Sequence, residues 1–141
     1  FGDLLFGDKP EKIGPWFKLF EDPIWKVQEG LPLDQQRELT FQRLKKVSQS
    51  KLVSVLDFKN DPKNIFSAHE LIATADGSTV TKFTVQYNLF GGSIFALHNE
   101  KHSDLFPKID SLDVIGCFCL TELGFGNNAV KMETTATYDE K

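Results

Sequence analysis

Residues 114–139, VIGCFCLTELGFGNNAVKMETTATYD, decide how this chain reads. Val114 to Leu120 is apolar and rich in strand-forming residues, and Met132 to Tyr138 alternates Thr and Glu with apolar residues at period two. Both runs are expected to be strands. Between them lie Thr121, Glu122, Gly124, Gly126, Asn127 and Asn128. Two glycines let backbone approach a ligand or take positive φ, while the Thr hydroxyl and Asn amides offer donors and acceptors without fixed charge. That donor set suits a neutral heteroaromatic ring or a pyrophosphate. The plainer reading is a hairpin connection whose glycines only turn the chain.

Cys117 and Cys119 fall inside the first run, two residues apart, so a strand puts both on one face at a separation unfavourable for a disulfide. His69, His98 and His102 form no recognisable metal-ligand spacing with them. The cysteines are therefore expected to be small buried hydrophobes, with no metal site.

Upstream the pattern is helical. Asp34 is the expected N-cap of a helix whose Leu39, Phe41, Leu44 and Val47 turn to one side. Asp61-Pro62-Lys63-Asn64 breaks the chain, and a second helix is expected from Ile65 to Ala75 with Ile65, Ala68, His69 and Ile72 on one stripe. His69 on that face reads as a hydrogen-bonded core histidine. Val80, Phe83, Thr84, Tyr87, Gly91, Ile94 and Phe95 keep helical spacing, yet Val85, Leu89, Phe90 and Leu97 fill the other sides. A helix apolar all round belongs at the centre. Its β-branched residues would also permit strands. Gly91-Gly92 then implies close approach by a neighbour or a ligand, since each glycine costs a plain helix about 1 kcal/mol. Asn99 to Lys101 is expected to open a short helix before a break at Pro107. The first thirty residues, rich in Phe, Trp, Gly and Pro, read as an irregular arm anchored by Trp16, Phe17, Phe20 and Trp25.

Composition narrows the class. The 141 residues are 40% hydrophobic with a net charge of −4, enough apolar content for one packed domain and no basic stripe for nucleic acid or an anionic membrane. No apolar run approaches the ~20 residues that span a bilayer, and no signal-peptide pattern opens the chain. A soluble, non-secreted chain is expected.

At this point a resemblance becomes specific. The run Gly116 to Asn128, followed by Glu133-Thr134-Thr135-Ala136-Thr137-Tyr138-Asp139, resembles the junction between the helical N-terminal domain and the β-domain of acyl-CoA oxidases. Arg37-Glu38-Leu39-Thr40-Phe41-Gln42-Arg43, Asn88-Leu89-Phe90-Gly91-Gly92-Ser93 and Asn99-Glu100-Lys101-His102 resemble segments in the same order there. The related dehydrogenases carry Thr-Glu-Pro-Gly-x-Gly-Ser at the loop; here Leu123 replaces the proline, and the oxidase branch fits better. Phe125 and Asn127 depart from the His and the Ser or Thr usual in oxidases.

The resemblance implies a mainly α fold, with an aromatic arm and helical domain over 1–113 and the start of a β-domain over 114–141. It also implies FAD as cofactor and fatty acyl-CoA as substrate, with desaturation at the expense of O2 and release of hydrogen peroxide. On the flavin side it points to Phe118, Leu120 and Thr121; Gly126 and Asn127 fall on the phosphate side, Asn127 also toward the CoA portion. Val85, Leu89 and Phe90 fall where the acyl chain would lie, although they read equally as core. The family's base, a glutamate, falls beyond Lys141, so Glu122 is expected to fix the loop by accepting backbone N–H bonds. A peroxisomal location and a full-length homodimer are further implications. A dehydrogenase passing electrons to a flavoprotein, and a truncated non-catalytic binding protein, are the competing readings.

Overall fold

The computed structural model describes residues 10–140, and the expectations for residues 1–9 and Lys141 lie outside it. Helix α1 spans Pro10–Phe20 and a 3-10 turn follows at Pro23–Trp25. The arm is thus helical rather than irregular from Pro10 to Phe20, because Ile13, Trp16 and Phe20 recur at helical spacing and find an apolar floor, while residues 26–30 are irregular as expected. Trp16 and Trp25 are buried, with Phe20 between them at centroid distances of 6.0 and 4.9 Å. Phe17, on the opposite side, is 53% exposed and is not the anchor it was expected to be.

Helix α2 runs from Leu33 to Ser50 and buries Thr40, Arg43, Leu44 and Val47. Asp34 is not its cap. The helix begins two residues earlier than that cap implies, at Leu33 after Pro32, and Asp34 lies in the first turn, 3.5 Å from Arg37. A single turn, α3 (Asp57–Asn60), leads to α4 (Pro62–Ala75), which starts on a proline whose missing N–H would have had no helical partner anyway. Ile65, Ala68, Leu71 and Ile72 form its buried stripe.

The centre is a continuous helix from Gly77 to Leu97 built in three parts: α5 (Gly77–Phe83), a π-helical stretch (Thr84–Gly91) and α6 (Gly92–Leu97). Asp76 caps it, accepting from the Thr79 N–H at 2.9 Å. Phe83 and Tyr87 are fully buried and stacked at 4.5 Å, with the His69 ring edge-on to Phe83 at 4.8 Å. As expected, His69 is hydrogen-bonded: its Nδ1–H donates to the Ile65 carbonyl at 2.7 Å, and Nε2 accepts from the Asn88 amide at 2.9 Å. The wider π turn brings residues five apart to one face, so Gln86 and Gly91 both point inward.

Gly91 answers the expectation of close approach. A Cβ there would stand 2.7 Å from Val55 Cγ2 and 3.3 Å from Ile109 Cγ2, and one at Gly92 would meet the Phe58 ring at 3.3 Å. Val55 is held by Asp110, whose carboxylate accepts from the Val55 N–H at 2.8 Å and from the Ser54 hydroxyl at 2.5 Å. Burial pushes the Asp110 carboxyl above its ordinary value, and these two bonds oppose the rise.

After a 3-10 turn at Glu100–His102, capped by Asn99, comes α7 (Leu105–Asp110). Pro107 does not break the chain. It sits in the first turn of α7, where no intrahelical N–H is required. Beyond Leu112 the chain is largely exposed and mostly irregular, with a tight turn after Glu122 and a 3-10 turn at Ala129–Lys131. Neither expected strand forms: among the described residues there is only one isolated antiparallel bridge, Glu122 with Gly126. The β-prone sequence lacks a neighbouring strand to pair with here, and a lone extended run gains no ladder.

Candidate functional site

Two features of the helical body position the 114–128 segment. Leu112 takes a left-handed conformation, φ +62°, which ends α7 and turns the chain so that the Val114 N–H donates to the Lys108 carbonyl at 3.0 Å. Gln86, buried in the π stretch, then acts in place of a strand partner. Its amide nitrogen donates to the Val114 carbonyl at 2.8 Å and the Ile109 carbonyl at 3.2 Å, and its oxygen accepts from the Gly116 N–H at 3.2 Å. Gly116 permits this contact, because a Cβ there would lie 2.0 Å from Phe90 Cγ. A glutamine inside an all-round apolar helix was the visible signal of this clamp, and sequence reasoning passed over it.

Beyond the clamp the segment lies open. Cys117 and Cys119 are exposed rather than buried, with sulfurs 3.6 Å apart on one side as the alternation implied. No strand or sheet covers them among the described residues, which removes the premise for burial. Phe118, between them, is 43% exposed, and Leu120 is half-buried.

The loop closes on itself. Glu122 and Gly126 exchange backbone hydrogen bonds at 3.1 and 2.8 Å, and Gly126 has φ +56°, a conformation that glycine adopts without penalty. The Thr121 hydroxyl donates to Asn127 Oδ1 at 2.5 Å, so the two expected cofactor contacts are tied to each other across the loop mouth. Thr121 keeps its oxygen lone pairs and Asn127 its amide N–H groups, and open space surrounds the Cβ positions of Gly124 and Gly126. Neutral donors and acceptors beside an exposed aromatic and an uncrowded glycine backbone fit a flavin ring and its phosphates in chemical kind.

Glu122 does what a loop-fixing carboxylate should. Its oxygens accept from the Glu133 N–H at 2.8 Å and the Thr134 N–H at 2.7 Å, and from the Thr134 hydroxyl. The Thr134 hydroxyl, followed by the two backbone donors, holds the carboxyl below its ordinary value of 4.5. A depressed carboxylate pKa means the tie is complete above that ordinary value and is lost as pH falls through the lowered folded value. The amide resonances of Glu133 and Thr134 are accordingly expected to stay fixed as acid is added down to pH 4.5 and to move only below it. In Glu122→Gln that transition should vanish; a transition that survives the substitution refutes the assignment.

The acyl-chain candidates separate. Val85 lines an apolar groove of about 250 Å³ between Phe41 and Leu44 of α2, Lys82 of α5, and Leu112 and Ile115. Leu89 is 37% exposed outside that groove, and Phe90 lies against Gly116. Among the described residues no helix is long and apolar enough to cross a membrane, and no cluster of three or more His, Cys, Asp or Glu could hold a metal ion.

No family model and no solved structure matches the chain. Sequence relatives do. The chain is 36% identical over 136 residues to a peroxisomal acyl-coenzyme A oxidase of Arabidopsis thaliana, covering 94% of this chain and 19% of that protein. It is 33% identical over 123 residues to an acyl-coenzyme A oxidase of Caenorhabditis elegans and 32% identical over 123 residues to a peroxisomal acyl-coenzyme A oxidase of Homo sapiens, in each case 86% of this chain and 18% of the relative. The chain therefore spans about a fifth of the length of these curated relatives.

Proposed function

The chain belongs with the acyl-CoA oxidases in sequence, and on that premise we propose that it forms part of a FAD-dependent enzyme of fatty acid oxidation. The reaction is desaturation of fatty acyl-CoA to trans-2-enoyl-CoA, with O2 as electron acceptor and hydrogen peroxide as the second product. The observation that carries the reading is the run of relatives over nearly the whole chain, and the neutral, open Thr121–Asn127 loop supports it chemically. Two of the three relatives named are peroxisomal, which supports a peroxisomal location for this protein as well. A full-length homodimer belongs to the same proposal.

Desaturation requires removal of a proton from the α-carbon and a hydride from the β-carbon. When bound, FAD supplies the two-electron acceptor. The residues of this chain do the holding. Phe118 and Leu120 would offer an apolar surface to the ring, and the Thr121 oxygen, whose proton goes to Asn127, would accept from a ring N–H. Gly126 and Asn127 would meet the phosphates, Asn127 also the CoA portion, with Val85, Leu89 and Phe90 toward the acyl chain. Glu122 is not the base. Both of its oxygens are engaged by Glu133 and Thr134, and its lowered pKa weakens it as a proton acceptor.

The function is tested by mixing the polypeptide of residues 1–141 with acyl-CoA, FAD and O2 in a peroxide assay, beside a full-length protein that contains it. Turnover by the full-length protein alone is expected. Turnover by the short polypeptide would show that it carries its own base, and none by either would remove the oxidase reading. In the full-length protein Thr121→Val keeps the side-chain shape and removes the hydroxyl. One neutral hydrogen bond is worth about 0.5–1.5 kcal/mol, so FAD affinity or the rate of flavin reduction should fall roughly three- to tenfold. If both are unchanged in a folded enzyme, Thr121 does not contact the ring and the loop is a structural turn.

A further inference from the structure

The end of α7 and the segment that joins α2 to α3 meet at one carboxylate. Asp110 Oδ1 accepts from the Val55 N–H at 2.8 Å and Oδ2 from the Ser54 hydroxyl at 2.5 Å. Ser54 is shared. Its own N–H donates to a second carboxylate, Asp57 Oδ2, at 3.0 Å, and the Asn64 amide reaches the same oxygen at 2.7 Å. Both donors to the Asp110 carboxylate are therefore neutral, and among the described residues neither aspartate forms an ion pair. We propose that the Asp110 carboxyl is a proton-dependent latch: uncharged, it holds residues 54–55 firmly against the end of α7, and on ionising it loosens them.

Both protonation states keep the bonds, so the latch acts through charge. A serine hydroxyl donates to a carboxylate and accepts from a carboxyl O–H, and the Val55 N–H is satisfied by an oxygen of either form. What ionisation adds is a negative charge in a half-buried place, on the far side of Ser54 from Asp57 and with no cation to balance it. Burial, joined by the charge of Asp57, holds the Asp110 carboxyl above its ordinary value, although the Ser54 hydroxyl and the Val55 N–H pull the other way. The other titratable neighbour is Tyr87 of the central helix, whose hydroxyl donates to the Asp110 carbonyl at 3.1 Å; burial raises it, and it stays neutral. From α2 the Ser48 hydroxyl donates to the same carbonyl at 2.6 Å.

A carboxyl that holds its proton more tightly in the folded than in the unfolded chain stabilises the fold below its unfolded value, and that gain is lost as pH rises through the folded one. For Asp110 the loss begins near the ordinary value of 3.8 and is complete above the raised one. It falls on a joint of the core. Val55 Cγ2 is the atom that a Cβ at Gly91 would meet at 2.7 Å, and the Ile109 carbonyl next to Asp110 takes the Gln86 amide. The latch thus sets how firmly Val55 seats the π stretch and, through Gln86, the clamp on Val114 and Gly116. Its groups lie between Ser48 and Asp110 inside the helical body, where any chain packed over them would bury Asp110 more deeply and strengthen the effect. The latch stands whether or not residues 118–127 hold a flavin.

Hydrogen–deuterium exchange of a full-length protein that contains this chain, corrected for the intrinsic effect of pH and read on peptides covering Val55, tests the latch from acid to neutral pH. Protection there should fall by at least about threefold as pH rises, in a one-proton transition, since each unit of pKa difference is worth about tenfold in the closing equilibrium. Asp110→Asn keeps an oxygen for the Val55 N–H and an amide for Ser54 Oγ and carries no charge. In that variant the transition should vanish, and protection at neutral pH should match or exceed that of the wild type. The neighbours should move the midpoint in opposite directions: Asp57→Asn, which removes the second charge, to lower pH, and Ser54→Ala, which removes a donor to the carboxylate, to higher pH. The proposal is overturned if the wild type shows no transition, if Asp110→Asn keeps it or loses protection at every pH, or if the Asp57 and Ser54 variants leave the midpoint in place or move it the same way.

Discussion

Arg43→Ala is expected to lower the stability of the chain by about 3–5 kcal/mol, the cost of breaking one side of a buried, hydrogen-bonded ion pair. Arg43 is only 6% exposed and is the centre of a knot. Its Nε donates to the Ile24 carbonyl at 2.8 Å and a terminal nitrogen to the Lys26 carbonyl at 2.9 Å. The other terminal nitrogen faces the Asp76 carboxylate at 3.3 Å, and the guanidinium lies 5.8 Å from the centre of the Trp25 ring. One side chain thus fastens the 3-10 turn and the cap of the central helix to α2. Removing it leaves two carbonyls without their donor and leaves the half-buried Asp76 carboxylate, still bonded to Thr79, without its counter-charge. Arg43→Lys should recover little of the loss, since a single ammonium cannot reach three acceptors arranged for a planar fork. Urea unfolding followed by far-UV circular dichroism measures the effect. A loss below about 1 kcal/mol would place Arg43 with ordinary surface ion pairs and refute the knot.

Gln86→Leu is the second large effect. The substitution keeps an apolar side chain of similar size in the π stretch and deletes three hydrogen bonds, to the Ile109 and Val114 carbonyls and from the Gly116 N–H. At about 0.5–1.5 kcal/mol each, the loss should be roughly 1.5–4.5 kcal/mol. It should also be local. Hydrogen exchange at the Gly116 amide should quicken by about tenfold or more while exchange in α2 and α4 changes far less, because the clamp joins only the end of α7 and the extended segment to the central helix. On the FAD reading proposed above, the same variant in a full-length protein should loosen the cofactor, since Gln86 fixes the start of the segment that carries Phe118 and Thr121. Uniform acceleration across all helices would mean that Gln86 supports the whole core rather than the segment.

Much of the helical body could be read in advance. The stripe Ile65, Ala68, Ile72 is buried as its spacing implied, and the all-round apolar run near Tyr87 is the central helix. Gly91 lies under Val55 and Ile109 for the steric reason that its presence suggested. Glu122 fixes the loop, and His69 is a bonded half-buried histidine. The misses have a common cause. Asp34, Pro107 and the two expected strands were judged from local preference, which does not set a helix boundary to within a turn or supply a strand with its partner. Asp34 and Pro107 both fell in a first helical turn, where an acidic residue or a proline is equally at home.

What the sequence determined by itself was periodicity and kinship. Apolar spacing fixes which helices form and which faces they bury, because burial of a contiguous stripe is a property of residues three and four apart. The ordered segments from Arg37 to Asp139 fix the relation to acyl-CoA oxidases. Only the tertiary structure decided the rest. Arg43 looks like an ordinary polar residue in the chain, and the partners of both Arg43 and Gln86 are set by folding, which brings Ile24, Lys26 and Asp76 to one and Ile109, Val114 and Gly116 to the other. The π turn that aims Gln86 inward is likewise invisible in sequence. Hydrogen bonds depend on distances of a few tenths of an ångström between groups far apart in the chain, and a pattern of residue types does not contain those distances.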